Sequence, residues 1–376
     1  MMRQNRLQAI DLLRGLVIVL MALDHTRDFF AVTPFDPLDL QQGSPGWFWT
    51  RWITHLCAPI FVTLAGMSAF LRSQQRDKKD MTRYLLSRGA LLVLLEWTWV
   101  SFSWQFDFNV FILQVIWAIG MAMMALGVLI WLPRWAIALV AAALILPHNL
   151  LDGMHAKGNH VLFMAWHQGG FYPLTDHLGI VFAYPLMPWI GLMAAGYVLG
   201  PVMLWEADKR QRFLFSAAAA LFVSFVILRS GNYYGDPDFW SAQGKGWFYD
   251  LMSFIKVHKY PPSLLYLCVT LSIGLGALAL MDKYVQKPLP LLMLFGKTPM
   301  FFYLVHIALI HALGWIYMEL RYGQIVDFRK PEATPAYEAS LVVCYLAWLF
   351  ALALMWGLTK LWLARKRQAV TTPGTT

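Results

Sequence analysis

A stretch long enough to cross a bilayer, Leu7 to Phe30, is apolar except for residues such a helix tolerates poorly, among them Asp11, Arg14, Asp24 and His25. A charge at the centre of a membrane helix costs roughly 2.5–3.5 kcal/mol on insertion scales, so residues of this kind face a protein interior or a wet cavity and mark function. Arg14 and His25 are separated by ten residues. At about 1.5 Å rise and about 100° per residue they lie roughly 16 Å apart along the axis and on the same face. One stripe of one helix thus offers a cation deep on one side of the membrane and an imidazole near the other.

Two further histidines fall at related depths. The rise from Leu7 to His25, and from Leu289 to His306, is about 26 Å against a hydrocarbon core of about 30 Å, so both rings belong to the outer half. His55 enters from the opposite side and sits about 12 Å below the outer boundary by the same arithmetic. These three are expected to line one outer cavity, where an imidazole with a reference pKa of about 6.5 suits general base work. Asp24 cannot share a helix face with its neighbour His25. Asp28, three residues on, is better placed to orient that ring.

Asp11 and Arg14 are spaced for an i, i+3 ion pair. Either the pair neutralises itself, or Arg14 holds an anionic group arriving from the cytoplasm, with Glu96 of the third apolar segment as a spare partner. Lys297 lies about 12 Å into the ninth segment, where Gly296 and Pro299 mark a break of the kind tolerated where backbone lines a cavity or is buried in protein. Arg72, Arg76 and Arg88 in the run RSQQRDKKDMTRYLLSR extend the candidate anion-binding set, and Gln114 is the polar residue of the fourth segment. The outer-loop residues His148, His155, His160, His167 and His177 match no ligand spacing, so no metal is expected.

The elements that must carry these residues follow from composition. With 59% hydrophobic and 14% charged residues over 376 positions, the chain reads as an all-α polytopic membrane protein. About ten transmembrane helices are expected. They begin near residues 7, 47, 84, 110, 135, 180, 213, 263, 289 and 335. Pro185 and Pro188 should loosen the sixth, and GWFYDLMSFIKVHKY in the second long outer loop has the character of an interfacial helix. Basic runs at 72–88, 209–212 and 364–367 place both termini in the cytoplasm. A single transmembrane domain over 1–366, with a disordered cytoplasmic tail over 367–376, is the expected organisation. The net charge of +9 lies in short loops, which is a topology signal with membrane lipid as the secondary partner and gives no case for nucleic acid. Cys57, Cys268 and Cys344 all fall in apolar segments and read as core residues. No Walker loop, GxSxG or GxGxxG in a strand–helix context appears.

The motifs resemble a known group. Arg14-Gly15 followed by His25 reproduces the R-x10-H pattern of the type 3 membrane acyltransferases, and LFGKTPMFFYLVH, Leu294 to His306, is similar to their later motif. IDLLRGLVIVLMALDHTRDFF, FWTRWITHLCAPIFVTLAGMSAFL, YPLMPWIGLMAAGYVLG and KYPPSLLYL resemble bacterial membrane proteins grouped with the catalytic domain of heparan-α-glucosaminide N-acetyltransferase. The resemblance implies a ten- or eleven-helix acyltransferase of the bacterial inner membrane. It would take acetyl from cytoplasmic acetyl-CoA, its co-substrate, to a sugar or glycan on the far side. It matches Arg14 and His25 to the two residues of the first motif and His306 to the His of the later one, which implies His25 and His306 as catalytic; His55 stands as the third catalytic candidate on its depth alone, and Arg14 as donor-binding on its position. One departure is visible: PFDPLDLQQGSPGWF contains no His where the lysosomal enzyme has one, and His55 stands instead within the helix, four residues before Pro59. A secondary transporter or lipid-linked-substrate flippase is the competing reading of ten helices with buried charge.

Overall fold

The structure is a computed structural model that describes residues 2–154, 160–285, 287, 289–325 and 337–371. In chain order the helices are α1 (Met2–Phe30), α2 (Pro45–Ile53), α3 (Cys57–Ser73), α4 (Lys78–Leu95), α5 (Ser101–Gln105), α6 (Val115–Leu129), α7 (Arg134–Ile145) and α8 (Val161–Phe163). They continue as α9 (Leu186–Leu199), α10 (Ala207–Gly231), α11 (Trp247–Ile255), α12 (Leu264–Tyr284), α13 (Pro290–Lys297), α14 (Pro299–Tyr322) and α15 (Leu341–Thr371). Among the described residues, eight helices are long and apolar enough to cross a membrane. Two more helices stand where the first and fourth segments were expected: α1, whose charges keep it out of that set, and the shorter α6.

The sequence expectation differs from the structure at three places. Val110–Leu113 is not the start of a helix but strand β1, and Gly179–Phe182, expected to open the sixth helix, is β3. β1 pairs parallel to β3, and β2 (Gly170–Pro173) pairs antiparallel to it. VFIL and GIVF are β-branched and aromatic runs that satisfy each other's backbone groups across the sheet, which outweighs their apolar helix-like appearance. Pro185 and Pro188 do not loosen a helix. They flank the start of α9, Pro185 as its N-cap and Pro188 in the first turn, where the missing N–H has no intrahelical partner to lose. The ninth segment does break, at Thr298 between α13 and α14. α15 runs to Thr371; of the segment 367–376, residues 372–376 lie outside the described residues.

The chain forms two compact units. One comprises His55–Tyr284, in which α3 lies along α9, α4 along α6 and α10 along α12. The crossing of α3 and α9 is made by glycines: a Cβ on Gly66 would strike the Met193 carbonyl, and one on Gly196 the Thr63 carbonyl. Small residues let membrane helices approach backbone to backbone and gain dispersion contacts that lipid does not supply. Arg210 and Asp282 tie α10 to α12 with hydrogen bonds of 2.8 Å. The other unit is Arg3–Thr54 with the chain from Val285 onward, and it contains α1, α2, α13, α14 and α15.

Candidate active site

The second unit is organised by the crossing of α1 over α13. A Cβ on Gly15 would collide with the Leu292 carbonyl oxygen, and one on Gly296 with the Asp11 carbonyl, so the two backbones touch and only hydrogen fits at either position. This contact brings Arg14 to the end of α13. Its Nη1 donates to Asp11 Oδ1 at 2.9 Å and to the Gly296 carbonyl at 3.3 Å. The last carbonyls of a helix lack intrahelical donors, and the guanidinium supplies one at the break. Both side chains remain partly accessible, 18% for Arg14 and 24% for Asp11. Lys297, the last residue of α13, is exposed.

Farther along α1, His25 meets His306 of α14 with ring centroids 5.1 Å apart and planes inclined at 55°. His306 is fully buried. Its Nδ1 lies 2.9 Å from the Phe302 carbonyl and 2.8 Å from the Tyr303 carbonyl. Both are acceptors, so Nδ1 carries a proton, and in the neutral tautomer the lone pair is on Nε2. That nitrogen has no hydrogen-bond partner among the described residues. His25 is on the accessible side of the pair, and its Nδ1 faces Asp28 Oδ2 at 3.9 Å. One turn on, Phe29 stacks on His311 at 4.4 Å and 17°. His311 was not read from the sequence; its signal was its spacing of five from His306 on an apolar helix, which also matched ordinary core packing.

Asp24, which the sequence offered only as a buried charge, is the centre of an ionic network. It accepts two hydrogen bonds from Arg51 Nη1 at 2.7 and 2.9 Å, one from Thr54 Oγ1 at 2.9 Å, and one from Arg27 Nη2 at 3.1 Å. Arg27 also reaches Asp28 at 2.6 Å. The network therefore joins α2 to the carboxylate that faces His25. Sequence reasoning missed both arginines. Arg27 was visible at i, i+3 from Asp24, whereas nothing local links Asp24 to Arg51.

The remaining candidates belong to the unit His55–Tyr284. His55 lies in a 3-10 turn between α2 and α3; it is buried, its carbonyl accepts the Tyr266 hydroxyl at 2.8 Å, and its ring meets the Tyr266 ring edge-on at 5.5 Å. Glu96, fully buried, opens a π turn at the end of α4, and its Oε2 accepts the Trp117 amide at 2.9 Å. Glu96 thus supplies an acceptor to an orphan amide in the first turn of α6, whose N-cap residue is Gln114. In the second turn of α4, Tyr84 is ringed by guanidinium groups, Arg72 at 4.0 Å, Arg76 at 5.8 Å and Arg88 at 6.0 Å from its ring centroid. Beside it is a groove of 560 Å³ lined by Arg76, Arg83, Arg88 and a single carboxylate, Asp80.

Residues 6–232 match the family model described as heparan-alpha-glucosaminide N-acetyltransferase, catalytic. The matched region includes Arg14, His25, Asp24, Arg51, His55, Glu96 and the Tyr84 groove; Lys297 and His306 lie beyond it. No curated protein matches the chain.

Proposed function

Because the chain belongs to the heparan-alpha-glucosaminide N-acetyltransferase catalytic family, we propose that it moves an acyl group, acetyl in the first instance, from cytoplasmic acyl-CoA to a sugar or glycan on the outer side of a bacterial inner membrane. The eight apolar helices together with α1 and α6 make the ten crossings of this reading, with both termini in the cytoplasm.

The observation that carries the proposal is the contact of His25 on α1 with His306 on α14, with Arg14 lying toward the other end of α1 at the α13 break. The acceptor amine or hydroxyl gives its proton to His25 as its heteroatom attacks the thioester carbonyl. Asp28, 3.9 Å from His25 Nδ1, favours the resulting imidazolium. Collapse of the tetrahedral oxyanion breaks the C–S bond, the proton passes to the thiolate, and CoA leaves on the side it entered. The rise of about 16 Å between Arg14 and His25 suits an extended pantetheine arm of roughly 15–20 Å, so only the acyl group crosses. For the anionic groups of the donor two cation sets stand as alternatives: Arg14 with Lys297 at the helix break, or Arg72, Arg76 and Arg88 around Tyr84.

The broken α13–α14 segment favours a second reading, a transporter whose substrate sits at a discontinuous helix. Purified protein in nanodiscs with radiolabelled acetyl-CoA and a panel of glycans separates the two. Label on an acceptor supports the transferase; acceptor left unlabelled, together with sugar uptake into liposomes that is lost on disrupting the break, supports the transporter.

A further inference from the structure

Arg229 stands two residues before the end of α10, one of the apolar spans. It is almost fully buried, yet it lies at the level where a membrane helix emerges. Its guanidinium is spent on backbone: Nε donates to Phe254 O at 2.9 Å, Nη2 to Ser253 O at 3.1 Å and to Lys256 O, and Nη1 to Asp238 O at 2.5 Å. Three of these carbonyls belong to the last turn of α11 or the residue after it, so one cation satisfies the end groups of that helix and complements its dipole. Phe254 packs edge-on against Phe225 of α10 at 5.7 Å, and against Trp240 at 5.4 Å.

These contacts fix a depth. Phe225 lies six residues before the end of α10, about 9 Å down its axis. The C-terminal end of α11 is therefore held within the outer part of the span rather than above it. Met252 and Ser253 are buried, while Trp247, Phe248 and Leu251 are 75%, 36% and 40% exposed. At about 100° per residue those three fall within about 100° of arc. Lys245 sits beside the Tyr249 ring, 5.5 Å from its centroid, at the N-terminal end. The loop 232–262 holds three lysines and three aspartates, and of the lysines Lys245 is exposed while Lys259 is buried.

We propose that α11 is an in-plane anchor seated at the acyl–headgroup boundary of the outer leaflet, with Trp247, Phe248 and Leu251 among the lipid chains and Lys245 at the phosphates of anionic lipid. A helix that buries one apolar face by about 5–10 Å beside the headgroups gains from both area and charge. The loop 232–262 then lies along the membrane instead of standing free of it. This inference is independent of the acyl-transfer reading.

Nitroxide labels at Trp247→Cys and Leu251→Cys, with Ala242→Cys as the exposed loop comparison, test it in the full chain reconstituted into phosphatidylethanolamine–phosphatidylglycerol nanodiscs. The three native cysteines are buried, and all three substitutions leave the Arg229 contacts intact. Collision with oxygen relative to a nickel chelate should be several-fold higher at 247 and 251 than at 242, and the contrast should weaken in phosphatidylcholine alone. Equal access of the nickel chelate to all three positions overturns the proposal. So does protection of 247 and 251 from both reagents with a spin–spin distance between copies, which would assign the face to a second chain.

Discussion

His306 directs Nδ1 at the carbonyl oxygens of Phe302 and Tyr303 while its ring lies against that of His25. The tautomer is thus imposed by the backbone of α14, and the basic nitrogen is the one without a partner. If His25 is the base, His25→Ala lowers turnover by about 10² to 10⁴, the usual contribution of a positioned acid–base group, with CoA binding retained. His306→Gln should slow transfer less. Full activity in His25→Ala with none in His306→Ala would move the base to His306.

The donor site is decided by binding. Isothermal titration with desulfo-CoA should show weakened binding in Arg14→Ala if the helix-break cations serve the donor. Loss in an Arg76→Ala/Arg88→Ala double variant, with Arg14→Ala unchanged, assigns the groove at Tyr84 instead.

Asp24 and Arg51 are both largely buried. Asp24→Asn removes the carboxylate charge that faces both Arg51 and Arg27 and should destabilise by about 3–5 kcal/mol; Arg51→Met leaves Asp24 with Arg27 and Thr54 and should cost less. The double variant should cost well under the sum of the two, which thermal unfolding of all four proteins in one detergent measures.

At the α1–α13 crossing, Gly15→Ala drives a methyl into the Leu292 carbonyl. Backbone is a poor neighbour to displace, so a loss of about 1–3 kcal/mol is expected. Gly357→Ala, where nothing lies near the added carbon, is the control in the interior of α15 and should be no less stable than the parent, gaining up to about 1 kcal/mol from helix propensity.

The outer loop should respond to pH. A hydrogen bond from His258 to Asp238 at 3.1 Å raises the pKa of the imidazole and lowers that of the carboxyl. The raised His contribution is complete below its unfolded value of about 6.5 and is lost as pH rises through the higher folded value. The lowered Asp contribution is complete above about 3.9 and is lost as pH falls through the lower folded value. Hydrogen exchange in segment 232–262 should accordingly be slowest between about pH 4 and 6.5 and quicken toward alkaline pH. His258→Gln should flatten that alkaline rise, after correction for intrinsic exchange.

Much of the architecture was legible because it follows from charge in apolar sequence. Asp11 and Arg14 at i, i+3 form the pair their spacing suggests, and Gly296–Pro299 flags the break that falls at Thr298. What escaped was non-local. Val110–Leu113 becomes a strand only because Gly179–Phe182 lies beside it, and Glu96 reaches the Trp117 amide through a π turn that composition does not announce. Glu96 accepts the Trp117 amide of α6, a partner 21 residues away that its place in an apolar segment does not reveal.

α1 is synthesised before the residue that neutralises it. Asp24 precedes Arg51 by 27 residues, an interval of a few seconds at roughly 5–20 residues per second of translation. Until then Arg27 alone of its three side-chain donors is present, and Arg51 and Thr54 complete the network only once α2 has been made. The order of residues along the chain therefore sets the order in which the carboxylate one residue from His25 acquires its partners.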